Sequence, residues 1–336
     1  MAAYLIRRVL WAVVLFLAVT AITYAIFFVI PVDPARRIAG KAATPADVER
    51  VRHQLGLDDP IYLQYAHYLR DLVVHQSLGY SYANRVSVNE VVIAEAPVTA
   101  SLVLGGMVIW MLIGVPLGIL SALRPRSRLD RMAMVGVLIG ISAHPVWIGL
   151  VLAYLLGYVP TTGEFLGISF PPFQIFPVQG YCEAFSPPPG ADCGGVLAWS
   201  WHLLLPWFTL AILYAANYTR MTRATTIETL NEDYVRTARA KGVGPRRVLR
   251  AHVVRNSMLP IVTMLGMDVA LALGGAVFVE IVFGLPGLGK EAVSSLTAFD
   301  YPVTMGLTIF ATLVVIVFNL LVDVAYAYLD PRIRLT

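Results

Sequence analysis

Six long stretches of apolar, charge-poor sequence constrain this chain more than any other feature. A helix needs about 20 consecutive apolar residues to cross the hydrocarbon core of a bilayer, and each stretch reaches that length. With 58% apolar and 14% charged residues among 336, the chain is too hydrophobic for a soluble domain of this size. The sequence therefore predicts an all-α integral membrane protein with six transmembrane helices, at roughly Val9–Ile30, Val98–Leu123, Met132–Tyr158, Trp201–Met221, Leu259–Phe283 and Val303–Leu329.

The distribution of Lys and Arg predicts which connecting segments lie inside the cell. Segments 124–131 and 222–258 are rich in arginine, whereas 159–200 contains no Lys or Arg. Short basic loops stay cytoplasmic, so both termini and segment 222–258, here named the basic loop, are expected on the cytoplasmic side. The net charge of +4 is interpreted as a topology signal, because no basic face interleaved with stacking aromatic residues indicates nucleic acid binding.

The spans divide the chain into regions of different character. The first apolar run is too long for a signal peptide and has no small-residue cleavage site after it, so we expect a retained span. Apolar residues at helical spacing predict a small helical cap outside the membrane after that span. The predicted regions are 1–30 with the first span, 31–97 with the extracytoplasmic cap, 98–329 with five core spans, and a cytoplasmic tail at 330–336.

Segment 159–200, here named the cysteine loop, is rich in Pro and Gly and is expected to be largely irregular. It contains both cysteines of the chain, Cys182 and Cys193. An oxidising exterior favours a disulfide between them, and two free thiols are the alternative. Two cysteines with no nearby arrangement of His or acidic residues predict no structural metal site.

The basic loop carries a pattern that predicts two short helices. Gly242 can end the first helix in a left-handed conformation, and Pro245 suits the first turn of the second. Asn231 or Asp233 is expected to cap the first helix. Tyr234, Ala238 and Lys241 recur at helical spacing and should lie on one face. Such order in a loop between spans predicts a docking surface for a cytoplasmic partner.

This segment, Asp233–Gly242 followed by Leu259-Pro260, resembles the coupling loop of ABC-transporter permeases in the form used by peptide importers. Arg236-Thr237-Ala238 stand where the general family motif has Glu-Ala-Ala, and Gly242 matches its glycine. Replacement of the Glu by Arg236 is typical of the dipeptide and oligopeptide branch. Further matching residues are Arg7-Arg8, Leu55-Gly56-Leu57-Asp58, Gln64-Tyr65, Pro286-Gly287-Leu288-Gly289, Asn319-Leu320-Leu321-Val322-Asp323 and Asp330-Pro331-Arg332.

The resemblance implies a six-span type I ABC importer permease, similar to the B-type subunit of dipeptide permeases within the peptide/nickel importer family. It implies half of a translocation pathway in a bacterial or archaeal cell membrane. The implied partners are a second, homologous permease that forms a heterodimer with this chain, two ATPase subunits that bind ATP and Mg, and an extracytoplasmic peptide-binding protein. The chain itself would be no enzyme and hold no cofactor. The residues implied to couple it to the ATPases are Asp233, Tyr234, Arg236, Thr237, Ala238, Arg239, Lys241 and Gly242.

Other solutes and another class of transporter are the alternatives. A nickel chelate or haem would use the same permease role. A gradient-driven secondary transporter would work without an ATPase, but it leaves the ordered basic loop unexplained and usually needs a relay of intramembrane acids.

Residues 284–290, here named the glycine turn, match the spacing of a phosphate-binding loop. The nucleotide interpretation fails, because Glu291 occupies the Ser/Thr position and Pro286 lacks the backbone N–H that would face a phosphate. The alternative is a tight turn between the last two spans at Pro286, Gly287 and Gly289, which resembles the family's Pro-Gly-x-Gly signature.

Three acidic residues fall at membrane depth, namely Asp268, Glu280 and Asp323. An ionised group facing lipid costs a few kcal/mol, so each should face protein, water or a partner. Asp268 and Glu280 are therefore candidates for the translocation pathway or a gate, with a hydrogen-bonded structural anchor as the alternative. Pro145, which follows His144 in the middle of the third span, predicts a helix kink.

Three pairs of glycines within the spans predict close helix packing, namely Gly114 with Gly118, Gly136 with Gly140, and Gly274 with Gly275.

Overall fold

The structure is a computed structural model and describes residues 2–29, 35–36, 43–54, 58–165, 168–169, 172, 176–185 and 193–329. The helices, numbered along the described chain, are α1 (Ala2–Tyr24), α2 (Pro45–Gln54), α3 (Ile61–Val74), α4 (Val88–Leu123), α5 (Arg128–Ser142), α6 (Pro145–Leu152), α7 (Val159–Thr162), α8 (Val196–Leu230), α9 (Asp233–Ala240), α10 (Pro245–Val248), α11 (Arg255–Ser257), α12 (Leu259–Phe283), α13 (Leu288–Ala298) and α14 (Tyr301–Leu329). Wider π-helical turns form at Ala25–Val29, Ala153–Tyr158 and Leu249–Val254. Two short antiparallel strands, β1 (Glu164–Phe165) and β2 (Ile168–Ser169), pair in the cysteine loop.

Six helical segments in the described residues are long and apolar enough to cross a membrane, as predicted. They are Ile6–Phe27, Val88–Leu123, Pro145–Thr162, Val196–Leu230, Leu259–Phe283 and Tyr301–Val322. Two helices are longer than their apolar runs, since α4 begins at Val88 and α8 continues to Leu230. The all-α fold class is confirmed.

The third predicted span, Met132–Tyr158, is not one kinked helix, and that prediction is wrong. Helix α5 ends at Ser142, and both Ala143 and His144 adopt extended backbone angles before α6 starts at Pro145. A proline without an N–H cannot continue the hydrogen-bond ladder of α5. The His144 side chain instead accepts a hydrogen bond from the N–H of Val146, so the chain starts a new helix.

Residues 1–96 and 291–320 form one of two compact units. Its helices α2 and α3 confirm the helical prediction for the segment after the first span. The core contains Tyr24, Met305 and Ile309, with Tyr65 and Tyr68 of α3 packed against it. The turn between α3 and α4 is held by Asp300, whose carboxylate accepts the backbone N–H groups of residues 82 and 83 at 3.1 and 3.0 Å.

The second unit, residues 97–290 and 321–336, is built around close contact between α4 and α8. A Cβ atom added at Gly114 would lie 2.9 Å from the carbonyl oxygen of Ala215, and one at Gly118 would lie 2.8 Å from that of Thr219. Only glycine lets the two backbones approach this closely, as was predicted for this glycine pair. The same prediction holds for Gly140 of α5, which faces the Cβ of Ala216.

Two other glycines do not play the predicted packing role. A Cβ atom at Gly136 or Gly274 would meet nothing within 4 Å among the described residues. Both positions lie on exposed helix surfaces of this chain, so their smallness serves no contact within the unit.

Candidate functional site

The basic loop is an ordered element with a small apolar core of its own. Helix α9 packs against α10 and the π-helical segment that follows it through four buried side chains, Val235, Ala238, Val248 and Val253. Leu230, Val243 and Leu249 extend this cluster at its edge. The predicted pair of short helices is confirmed, and burial of apolar surface holds the pair together.

Gly242 ends α9 as predicted. Its φ of +77° lies in the left-handed region that favours glycine, and its N–H donates to the carbonyl of Arg239 at 3.0 Å. The start of α9 differs from the prediction, because Glu232 occupies the capping position and its side chain makes no capping hydrogen bond. Capping by Asn231 or Asp233 is therefore wrong, although Pro245 opens α10 as expected.

The surface of α9 presents a mixed aromatic and basic face. Tyr234 is 41% exposed, and its hydroxyl accepts a hydrogen bond from Asn256 at 2.8 Å. The other exposed side chains of the predicted coupling set are Asp233, Arg236, Thr237, Arg239 and Lys241. Ala238 is buried in the loop core, so its expected place on the exposed face is wrong. The predicted common face of Tyr234, Ala238 and Lys241 is therefore divided, because Ala238 packs inward while the other two side chains are exposed.

A largely buried ion pair fixes α8 at the start of the basic loop. The guanidinium of Arg223 donates from Nε and Nη2 to the two carboxylate oxygens of Asp130, at 2.7 and 3.0 Å. The N–H of Arg126 donates to the same carboxylate at 2.8 Å, and the hydroxyl of Ser121 donates to it as well. This group connects the end of α4, the start of α5 and α8.

The Arg223 guanidinium and then the Ser121 hydroxyl hold the pKa of Asp130 well below its usual range. The carboxylate is therefore ionised and paired at neutral pH. Sequence reasoning did not single out either member of the pair. The available signal was one acid, Asp130, placed between Arg128 and Arg131 at a predicted loop end.

The glycine turn is organised by Glu280, which is completely buried near the end of α12. Its Oε1 accepts the hydroxyl of Thr99 at 2.7 Å, and its Oε2 accepts the N–H of Lys290 at 2.9 Å. The Thr99 hydroxyl also accepts the N–H of Leu288 at 2.9 Å. Both carboxylate oxygens are thus engaged within the unit, which favours the anchor interpretation of Glu280 over a gate.

Close contacts with α12 explain why Gly287 and Gly289 of the turn are glycines. A Cβ atom at Gly287 would lie 2.4 Å from Cδ of Glu280, and one at Gly289 would lie 2.7 Å from Cα of Val277. Gly284 has a φ of +66° and ends α12. The tight turn predicted around Pro286 is present, and helix α13 follows it at once, an element that the sequence did not predict.

Asp268 lies on α12 beside the phenols of Tyr214 and Tyr218 on α8. Trp110 of α4 stacks on Tyr214 with ring centroids 4.5 Å apart. One carboxylate oxygen of Asp268, the hydroxyl of Tyr218 and the indole N–H of Trp110 are buried together, with Tyr218 between the other two. Such groups in native proteins are commonly satisfied by ordered water.

In the cysteine loop the sulfurs of Cys182 and Cys193 are joined in a disulfide, with Cα atoms 5.7 Å apart. His202 at the start of α8 lies against it, with Nδ1 at 3.3 Å from the sulfur of Cys182. The disulfide joins two parts of the cysteine loop, and its contact with His202 places it against the start of α8.

Some predicted residues lie outside the described part of the chain. They are the matches Leu55-Gly56-Leu57 and Asp330-Pro331-Arg332, the segment Pro187-Pro188-Pro189-Gly190, and the side chain of Asp323.

Two known protein families together match nearly the whole chain. Residues 114–335 match the family described as the inner membrane component of binding-protein-dependent transport systems. Residues 1–103 match the N-terminal family of the same membrane component. The chain belongs to this family. It is therefore a multi-pass permease component of a bacterial transport system, and it is not the ATPase of that system.

Curated relatives and one solved structure agree with that assignment. The oligopeptide transport system permease AppB of Bacillus subtilis (strain 168) is 36% identical over 99% of this chain and 100% of its own length. The probable D,D-dipeptide permease DdpB of Escherichia coli (strain K12) is 36% identical, covering 98% and 97%. The dipeptide permease DppB of the same strain is 34% identical, covering 98% of each chain. A crystal structure of an amino acid ABC transporter with histidines shares the fold, with a TM-score of 0.51 at 15% identity over 71% of this chain and 94% of that chain.

Proposed function

We propose that the chain is one permease subunit of an ATP-driven ABC importer for dipeptides and oligopeptides, which a binding protein delivers from outside the cell. Relatives that cover nearly the whole chain at 34–36% identity are named as oligopeptide or dipeptide permeases, which supports peptides as the solute. The chain would form half of the translocation pathway, and a second, homologous permease would form the other half.

The arrangement of charge supports a topology in which both termini and the basic loop are cytoplasmic. The arginines cluster in segments 124–131 and 222–258, and none falls in the cysteine loop. The disulfide in the cysteine loop is in keeping with an oxidising exterior.

The observation that carries the proposed coupling role is the self-contained fold of the basic loop. Its apolar core leaves Tyr234, Arg236 and Arg239 free to contact another protein. Two ATPase subunits are the proposed partners, one for each permease. ATP can shift the permease between states only if the ATPases contact those states differently, and α9 offers the surface for such contacts.

Charge reversal on α9 tests this role. In a transporter reconstituted with its ATPases and binding protein, Arg239→Glu should reduce peptide uptake and its stimulation of ATP hydrolysis together. Arg239 is exposed, so membrane insertion and assembly should be preserved. Gly242→Pro should have the same effect by removing the left-handed helix stop.

The matched control is Arg70→Glu on α3, an exposed arginine with the same change of charge. It should leave the ratio of uptake to ATP hydrolysis unchanged. Normal uptake and normal ATPase stimulation in both basic-loop variants would rule out the coupling role. Absence of peptide uptake by the unaltered transporter, tested with dipeptides, longer peptides, nickel chelate and haem, would rule out the proposed solute.

For Asp268 and Glu280, the contacts support a structural anchor better than a position in the solute pathway. Asp268 adjoins Tyr214 and Tyr218 of α8 within its own unit, and both carboxylate oxygens of Glu280 accept hydrogen bonds at the glycine turn. A pathway for peptides of many sequences also gains little from a fixed charge that holds one of them.

A further inference from the structure

The break between α5 and α6 frees backbone acceptors where the third apolar span, Pro145–Thr162, begins. Pro145 has no N–H, so the carbonyl of Ile141 loses its usual helical partner. The N–H of Val146 is used by Nδ1 of His144 at 3.3 Å, so the carbonyl of Ser142 loses its usual partner as well. Two carbonyl oxygens therefore remain available as hydrogen-bond acceptors beside the break.

A cavity of about 620 Å³ opens at this break. Its lining side chains are Leu138, Ile139, Ser142, Ala143, His144 and Trp147. Trp147 is 62% exposed, and the imidazole of His144 meets the ring of Phe278 on α12 edge to face, with centroids 5.3 Å apart. The cavity thus lies on a surface formed by α5, the break and α6, and α12 contacts this surface through Phe278.

The two carbonyl oxygens at the break are unfavourable neighbours for lipid. Irregular backbone at membrane depth is tolerated only where protein buries it or where it lines a water-filled space. Ser142 and His144 are exposed in this chain, so no other part of the described unit buries them. We propose that the cavity lines the solute pathway and binds the main chain of the passing peptide. This inference rests on the proposed function.

The chemistry of the lining matches groups that all peptides share. The carbonyls of Ile141 and Ser142 can accept from an α-ammonium group or an amide N–H. Because Nδ1 of His144 is an acceptor, the neutral imidazole carries its proton on Nε2, which can donate to a peptide carbonyl. The exposed indole of Trp147 offers a face to a cation. Among the described residues, His144 is the one acidic or basic side chain that lines the cavity, so the site would not select a charged side chain.

The first test measures water access at the break. In a background with Ser at both loop cysteines, Ser142→Cys should react with a hydrophilic, membrane-impermeant thiol reagent in the complete reconstituted transporter. A labelled tripeptide at saturating concentration should slow that reaction about threefold during turnover, because an occupied site excludes the reagent. Leu112→Cys, at an exposed apolar position of α4, should remain unreactive.

The second test separates binding from helix capping and uses the native cysteines. His144→Ala and Trp147→Ala should each lower peptide uptake per assembled transporter about fivefold. His144→Asn should not restore uptake, since Asn caps a helix well but its shorter amide does not reach the position of Nε2. Rescue by Asn would mean that the side chain only caps α6, and it would overturn the proposal.

An unreactive Cys at position 142 would mean that the second permease or lipid covers the cavity, and would also overturn the proposal. Reaction without slowing by peptide, together with normal uptake in the Ala variants, would have the same consequence. Peptide uptake by the unaltered transporter distinguishes these results from failure of the proposed function. If that uptake is present, only the cavity assignment falls.

Discussion

Replacing Asp130 by Asn should destabilise the permease by about 2–3 kcal/mol. Removing one member of a buried ion pair typically costs about 3–5 kcal/mol, because the other charge is left without its partner. Here the Arg223 side chain remains 27% exposed, so water can partly solvate the guanidinium and the cost is lower. Asn keeps the side-chain volume and one acceptor oxygen, but it loses the paired bonds to Nε and Nη2.

A double-mutant cycle of unfolding midpoints on the purified transporter measures this interaction. The single variants Asp130→Asn and Arg223→Gln should each be less stable, and the double variant should lose about 1.5 kcal/mol less than their sum. Arg236→Gln is the control, because its partner Asp233 lies 3.6 Å away with both side chains largely exposed. That change should stay within about 0.5 kcal/mol.

A coupling energy below about 0.5 kcal/mol would refute the reasoning, since the pair would then contribute no more than a surface contact. The pH dependence gives a second check. The pKa of Asp130 is lowered in the folded protein, so its stabilisation is fully present above the ordinary Asp pKa of about 3.9 and is lost as pH falls below it. Stability of the Asn variant should therefore decrease less than that of the parent protein between about pH 5 and pH 3.

Three further outcomes follow from the turn, the intramembrane acid and the disulfide. Gly287→Ala should destabilise the protein by about 1–3 kcal/mol, because the added Cβ would lie 2.4 Å from Cδ of Glu280. Gly136→Ala is the control, because an added Cβ there would meet nothing within 4 Å. Equal loss of thermal stability in both variants would contradict this packing. Asp268→Asn should reduce complex yield or thermal stability and leave uptake per assembled transporter unaltered, and a changed solute preference would favour the pathway role instead. Both cysteines of the cysteine loop should resist maleimide until the protein is reduced and unfolded, and ready labelling of the native protein would exclude the bridge.

The spans were predictable because the bilayer imposes a minimum apolar length that can be read along the chain. Their ends were not, because neighbouring helices determine where they stop. Helix α8 continues past Met221 since glycines of α4 admit close contact and Asp130 pairs with Arg223, and neither contact is local in sequence. Helix α13 was missed because it is short and rich in serine and small residues, with no long apolar run to mark it.

In the candidate site, too, features set by local sequence were predicted and features set by tertiary contacts were not. Gly242 and Pro245 were predicted correctly, since a left-handed helix stop and a first-turn proline depend on local backbone geometry. Ala238 was misplaced because tertiary packing, which helical spacing does not reveal, buries this one side chain while Tyr234 and Lys241 remain exposed. The roles of Glu280 and Thr99 could not be read from the sequence, since 181 positions separate the two residues that share one hydrogen bond.

The length of α8 has a mechanical consequence for the basic loop. With the hydrocarbon edge at Met221, as the sequence predicts, residues 222–230 would place α9 about 13 Å beyond the hydrocarbon, at about 1.5 Å per residue. The headgroup layer is only about 5–7 Å thick on each side, and a soluble protein can therefore grip α9 without displacing lipid. Arg223 lies near the start of this projecting part of α8, and its ion pair with Asp130 fixes the helix there. The two helical turns between Arg223 and Leu230 extend about 10 Å beyond that fixed point. A tilt of α8 by about 10° at the ion pair would move its end at Leu230 by about 2 Å. If α8 tilts as a rigid helix, a displacement of α9 by a bound protein would be transmitted through the ion pair to α4 and α5.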